Sequence, residues 1–423
     1  MTDASEDNRP SAAPALVTAE AMRRAYAGVL RERIRRTPLY TSASIAERCG
    51  CPARGATLHL KMENLQRTGS FKIRGATHKI STLTPDERQR GVLTASAGNH
   101  AQGVALAARD AGVPATVFMP RVASIAKIQA TENYGATVIL EGGNFDEAVA
   151  AAKARAAETG EVFVSAYDDD GIITGQGSLG LELLEDLPEI DTVLIPIGGG
   201  GLFAGVATAI KDARPSCRVI GVQAAGADNA VRSFHAGELL SRDAPVDTIA
   251  DGIAIKSPSP RTFAYIQRYA DDMVSVTDER IAEAILLLIT RAKVIVEPSG
   301  AASLAALLQH PHLAQGNTVA VLCGGNIDVR FLSDLIERGM IRAGRYFHFF
   351  TACPDKPGGL ARLLDTVAQA GGNVIEVTHN RISPSVTYGK TGVEMLLEVR
   401  DDGHIAEIER SLRARGYPIT RLD

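Results

Sequence analysis

No sign of charge dominates this chain. Its 45 basic and 49 acidic residues leave a formal net charge of −4, which provides no basic field for nucleic acid or an anionic membrane surface. Cysteine is scarce: Cys49, Cys51, Cys217, Cys323 and Cys353 are the five in 423 residues. A single residue separates Cys49 from Cys51, which is not the spacing of a redox or zinc motif. An odd, sparse set of thiols predicts a reduced, cytoplasmic protein. The stretch from Met1 to Pro14 is polar and lacks the apolar centre of a secretory signal. Ile281 to Ile289 is strongly apolar but short and lies beside Asp278, Glu279 and Glu283. It predicts a buried helix and no membrane span. Glycine is the residue in slight excess, with 40 copies gathered in clusters.

The length exceeds one ordinary core, so two or three domains are expected. Residues 1–17 read as a flexible tail. Thr18 can cap a helix running to about Arg36, before Pro38. From there short apolar runs alternate with helical patterns. Strands are expected at Leu58–Lys61, Gly91–Ala95, Ala115–Met119, Thr137–Leu140, Phe163–Ser165, Thr192–Ile197, Arg218–Val222 and Thr318–Leu322. Helices are expected at Gly75–Leu83, Asn99–Ala111 and Ile125–Tyr134, and between the later strands. Such alternation argues for α/β architecture with mostly parallel sheets. The character changes near residue 344. Tyr346 to Ala352 is the most aromatic stretch, and a βαββαβ pattern follows to the end. That is enough for a small separate domain.

Four motifs carry the chemistry. In Ser70-Phe71-Lys72-Ile73-Arg74-Gly75-Ala76, apolar neighbours flank Lys72, and Gly69 and Gly75 allow tight turns. A lysine in a partly apolar pocket has a lowered pKa and becomes a nucleophile or base. Ser96-Ala97-Gly98-Asn99-His100 follows a strand and opens a helix, whose N-terminal N–H groups can bind a carboxylate. Asn99 suits a phenolic cofactor oxygen. Gly198-Gly199-Gly200-Gly201-Leu202 joins a strand to a helix, and four glycines carry a large backbone entropy cost. A phosphate cradle explains that cost. The loop lacks the Lys-Ser/Thr of a nucleotide P-loop and the acidic ribose ligand of a dinucleotide site. Cys323-Gly324-Gly325-Asn326 ends the last strand, where a neutral thiol can face a pyridine nitrogen. A lysine that forms a Schiff base together with a phosphate cradle points to pyridoxal phosphate.

In this order the four motifs resemble the threonine dehydratase (threonine ammonia-lyase) family of fold-type-II pyridoxal-phosphate enzymes, over about residues 18–340. The resemblance implies two open, mostly parallel sheets, with a small subdomain of about residues 55–160 inserted in a larger one. It implies that Lys72 carries the cofactor and moves the α-proton. Phe71 would pack on the ring, Asn99 bind its phenolic oxygen, Gly198 to Leu202 hold its phosphate, and Cys323 face its ring nitrogen. Ser96, Ala97, Gly98, Asn99 and His100 would hold the substrate carboxylate. Residues 345–423 resemble a single ACT domain, an α+β βαββαβ unit. Its loop Asp355-Lys356-Pro357-Gly358-Gly359-Leu360 would take an amino-acid effector, isoleucine or valine. A homodimer or homotetramer is implied.

Two departures bear on the activity. Serine racemases carry a serine where this chain has Ala97, which cannot transfer a proton, so dehydration is favoured over racemisation. Related enzymes with a structural cation carry an acidic residue where this chain has Gln223, followed by Ala227 and Asp228, and a neutral amide is a weak ligand for a hard cation. No metal is expected. The expected reaction is conversion of L-threonine to 2-oxobutanoate and ammonia, with L-serine to pyruvate as a side activity. It would serve isoleucine synthesis or threonine breakdown. A serine or 3-hydroxyaspartate dehydratase or racemase is the alternative enzyme. A non-catalytic amino-acid sensor on a degenerate scaffold is the alternative from another class.

Overall fold

The computed structural model describes residues 15–241, 244–342, 344–380 and 386–422. The tail expected over residues 1–17 therefore lies outside the described residues up to residue 14. The chain divides into two compact units, Met1–Ile327 and Asp328–Asp423.

In the first unit the strands are β1 (Leu39–Thr41), β2 (Thr57–Lys61), β3 (Val92–Ala95), β4 (Ala115–Met119), β5 (Thr137–Leu140), β6 (Val162–Phe163), β7 (Thr192–Pro196), β8 (Arg218–Ala224), β9 (Asp272–Val276) and β10 (Asn317–Val321). They form two sheets. The larger has the order β1-β2-β10-β7-β8-β9 and the smaller β5-β4-β3-β6. Every pairing is parallel except that of β1 with β2. β3, β4 and β7 are buried along their whole length, as parallel strands between helices must be. Thr57–Lys61 pairs within the larger sheet, whereas Ile73, Ala76 and Ile80 already pack in the core of the smaller sheet, whose first strand starts at Val92.

Glycine sets the helix packing around these sheets. Helix Lys72–Ser81 lies against helix Asp170–Asp186. A Cβ on Gly75 would sit 2.5 Å from Gln176 Nε2, and one on Gly175 would sit 2.6 Å from the Arg74 carbonyl oxygen. Gly75 is thus a close-packing residue inside a helix, not a turn former, and the helix begins three residues earlier than expected, at Lys72. Near the N-terminus, Thr18 caps its helix through Ala21 N–H. The helical run ends at Arg33 and not Arg36, because Ile34 is already extended. Ile281, Ala284, Ile285 and Leu288 form the buried stripe of the apolar segment, and no described helix is long and apolar enough to cross a membrane.

The second unit opens with helix Val329–Arg342, which sequence reasoning placed in the catalytic region. Strands β11 (Tyr346–Pro354), β12 (Asn373–Asn380), β13 (Lys390–Glu398) and β14 (Thr420–Arg421) follow. They form an antiparallel sheet of order β12-β13-β11-β14. Helices Gly359–Gln369 and Asp402–Ala414 complete the βαββαβ sequence. β11 alternates strictly: Phe347, Phe349, Thr351 and Cys353 are buried between half-buried neighbours. Phe347, Phe349 and Cys353 share a core with Leu363, Val367, Ile405 and Ile408 of the helices. Period-two burial is what one covered sheet face requires.

Candidate active site

The four motifs converge at the carboxyl ends of β3, β6, β7 and β10, where open parallel sheets bind ligands. Ser96–Asn99 follows β3, Val164–Tyr167 follows β6, Gly198–Gly201 follows β7, and Cys323–Asn326 follows β10. The segment before Lys72 is stitched to the last of these. Phe71 N–H donates to the Cys323 carbonyl at 3.1 Å, and Gly325 N–H donates to the Gly69 carbonyl at 2.8 Å. Ser70 and Gly324 form an antiparallel bridge. Gly69 has φ +73°, and a Cβ there would lie 2.4 Å from Asn326 Oδ1, so this position takes only glycine.

Lys72 stands at the start of its helix with its ammonium end inside the protein. Nζ donates to the Ala166 carbonyl at 2.9 Å and lies 5.1 Å from the centroid of the Phe71 ring. Burial pushes its pKa down to about 8, with Cys323 and Glu297 pulling the other way. About a tenth of such an amine is uncharged at pH 7, far more than for an ordinary lysine, so it can attack a carbonyl or accept a proton.

The glycine loop is crowded on its outer side. A Cβ on Gly198 would meet Ile253 Cα at 3.0 Å, one on Gly199 would meet the Tyr167 ring at 2.2 Å, and one on Gly201 would meet Tyr167 Cα at 2.9 Å. Gly200 has φ +90° and leads into helix Gly201–Ala213. The N–H groups of this helix start, with buried Leu202 in its first turn, have no earlier carbonyls to bind within the helix. Bare backbone, a helix N-terminus and close side walls are features that could hold a phosphate.

Asn99 is held at both ends. Its Nδ2 donates to Glu297 Oε1 at 2.6 Å, and its Oδ1 accepts from Asn326 Nδ2 at 2.7 Å. Ser96 Oγ accepts from Gly98 N–H at 3.1 Å, which tightens the turn before the helix. Ala97 packs beside the smaller sheet's core. His100 lies in the first turn of helix Asn99–Ala111. Its side chain is buried, with Nε2 3.0 Å from the Val164 carbonyl, so only its backbone N–H remains available at the helix start. Burial, followed by the nearby Lys72 charge, lowers its pKa to about 3.

Cys323 is buried, and burial holds its thiol far above the ordinary range, with Glu297 adding to the shift. It is a neutral group whose Sγ lies 3.6 Å from the Ser299 carbonyl. Ser299 Oγ, Ser70 Oγ and Thr68 Oγ1 are buried with no hydrogen-bond partner among the described residues. A lysine of lowered pKa, a bare glycine loop, a neutral thiol and orphaned hydroxyls together fit an aromatic aldehyde phosphate. Glu297, Ala166 and Tyr167 were not found from the sequence. The only local sign was an acid between apolar Ile295-Val296 and helix-starting Pro298. Gln223 is buried, with Oε1 accepting from Val231 N–H at 3.0 Å. Among the described residues no group of three or more His, Cys, Asp or Glu is placed to hold a metal ion.

Known proteins resemble this chain over most of its length. A family model described as pyridoxal-phosphate dependent enzyme matches residues 30–324. An L-threonine ammonia-lyase of Thermotoga maritima is 46% identical over 390 residues, covering 92% of this chain and 96% of the relative. The crystal structure of a threonine deaminase from T.th. is 40% identical with a TM-score of 0.69, covering 74% of this chain and 99% of that one. A maize serine racemase structure is 34% identical with a TM-score of 0.71, covering 78% of this chain and 99% of that one.

Proposed function

The chain belongs to the pyridoxal-phosphate dependent enzymes, and on that premise we propose that it converts L-threonine to 2-oxobutanoate and ammonia, and L-serine to pyruvate as a side activity. The observation that carries this reading is the half-buried Lys72, its amine lowered to about 8, beside a glycine loop that admits no side chain. Threonine ammonia-lyases align over nearly the whole chain. When bound, pyridoxal phosphate supplies an electron sink for the charge that develops at the substrate Cα.

The residues divide the remaining work. Gly198 to Leu202 hold the phosphate through backbone N–H groups. Phe71 lines the ring, and Asn99 donates to the phenolic oxygen. Cys323 stays neutral at the ring nitrogen, which keeps the electron sink moderate and favours elimination. Lys72 would act as the general base that takes the α-proton. The Ser96–His100 segment holds the substrate carboxylate at the start of helix Asn99–Ala111. Ala97 offers no second proton carrier, which sets this chain apart from a racemase.

Lys72→Ala tests the reading: it is expected to abolish keto-acid formation and the visible absorbance of the lysine-bound cofactor. Normal turnover in that variant would overturn the assignment.

The second unit we read as an ACT regulatory domain over residues 345–423, with isoleucine or valine as effector and a homodimer or homotetramer as the working, cytoplasmic form. Its βαββαβ order supports this. An effector should shift both activity and melting temperature. If isoleucine and valine change neither, the unit is a plain dimerisation module.

A further inference from the structure

Glu297 is a buried carboxyl that none of the steps above uses. It precedes helix Pro298–Gln309 without capping it through its side chain. Its backbone N–H donates to the Gly324 carbonyl at 3.1 Å. The side chain turns into the site, where Oε1 accepts from Asn99 Nδ2 at 2.6 Å. A Cβ on Gly324 would lie 2.0 Å from that oxygen, so the glycine after Cys323 is what lets the carboxyl reach.

Asn99 thereby loses its freedom to flip. Its Oδ1 is engaged by Asn326 Nδ2, which is itself anchored on the Thr68 carbonyl at 2.7 Å. A primary amide has two N–H donors. One goes to Glu297, and the other has no partner among the described residues. A flipped amide would present its carbonyl oxygen instead, which repels an electron-rich phenolic oxygen.

We propose that Glu297 is a positioning residue: by accepting one Asn99 amide proton it aims the other at the cofactor's phenolic oxygen. The proposal rests on the pyridoxal-phosphate reading above. Glu297 faces Asp251, Lys127 and Lys72, and Cys323 senses its charge. Burial first, and Asp251 second, raise its pKa to about 8. The carboxyl is thus largely neutral near pH 7, and it holds Asn99 through a carbonyl-type oxygen without placing a full charge beside the cofactor. A glutamine can do the same.

The test is cofactor binding, measured on apo-protein titrated with pyridoxal phosphate, with the visible band and the melting temperature recorded in parallel. Glu297→Ala is expected to weaken binding about tenfold, the scale of one buried hydrogen bond, and to shift the band. Glu297→Gln should keep both close to wild type. In an Asn99→Ala background, Glu297→Ala should add little, because its effect passes through Asn99. If Glu297→Ala does not fold, Glu297→Asp, which withdraws the acceptor by one methylene, replaces it with an intermediate loss expected. Unchanged binding and band in these variants would overturn the proposal. So would a glutamine variant as impaired as the alanine one. A wild-type protein with no visible band would instead overturn the functional reading itself, and this inference with it.

Discussion

Arg74 holds both carboxylate oxygens of Glu63, and neither side chain meets solvent. Nε donates at 2.7 Å and a terminal nitrogen at 2.8 Å. The other side of the same guanidinium forks onto Glu182 at 2.8 and 2.9 Å, and Lys61 Nζ closes the cluster on Glu182 at 2.9 Å. Arg74 is two residues beyond Lys72, so this paired cluster fixes the helix that presents the reactive amine.

Removing Arg74 should therefore be costly. Arg74→Ala removes the ion-pair partner of buried Glu63 and leaves Glu182 with Lys61 alone, and the expected loss is about 3–5 kcal/mol of unfolding free energy. Arg74→Lys should lose much of it as well, since an ammonium cannot fork onto two carboxylates. Denaturant unfolding measures this. A loss below about 1 kcal/mol for Arg74→Ala would show that the cluster relaxes and does not anchor the helix.

Gly199→Ala places a methyl group where the Tyr167 ring already stands, 2.2–2.5 Å from three of its carbons. Its backbone has no positive φ, so the obstacle is space. Overpacking of this kind costs about 1–3 kcal/mol, and the displaced loop should bind pyridoxal phosphate more weakly. Adding Tyr167→Ala should recover stability by opening the space. A double variant no more stable than Gly199→Ala would place the clash elsewhere.

The site was legible where its chemistry is written in contiguous residues. Lys72 between Phe71 and Ile73, the four glycines after β7 and the thiol after β10 could each be read as local patterns. Their partners could not. Ala166 is 94 residues from Lys72 and Glu297 is 198 residues from Asn99, and only the fold brings such pairs together. Gly75 misled because glycine serves turns and close helix contacts equally, and periodicity does not separate the two. The His100 side chain is claimed by the Val164 carbonyl, 64 residues away, another pairing that no local pattern displays.

All five cysteines are free and buried, and burial raises each thiol, Cys217 to about 12. Thiolate is the reactive form. The native protein should therefore react with a thiol reagent far more slowly than the denatured chain, which should titrate five groups. One fast-reacting thiol in the native state would contradict the burial of that residue, and Cys323→Ser would identify it if it lies in the active site.

Buried Glu297 and His100 and half-buried Lys72 should shape the stability of the apo-protein against pH, with opposite signs. Glu297, raised from 4.5 to about 8, binds its proton more tightly when folded, so its contribution is full below 4.5 and is lost as pH rises to about 8. His100, lowered from 6.5 to about 3, takes its proton first in the unfolded chain, so stability falls as pH drops from 6.5 towards 3. Lys72, lowered from 10.5 to about 8, adds stability as pH rises between those values. Each slope is about 1.4 kcal/mol per pH unit at full effect. Between pH 6.5 and 4.5 the glutamate and histidine slopes oppose one another and should nearly cancel. Glu297→Gln should expose the histidine slope there, making the protein acid-sensitive, and His100→Gln should leave the glutamate slope and make mild acid stabilising. Denaturant midpoints for the three proteins at about pH 4.5, 6.5 and 8 decide the matter. If both variants track wild type across that range, neither group titrates differently on folding, and the electrostatic account of the site fails at both positions.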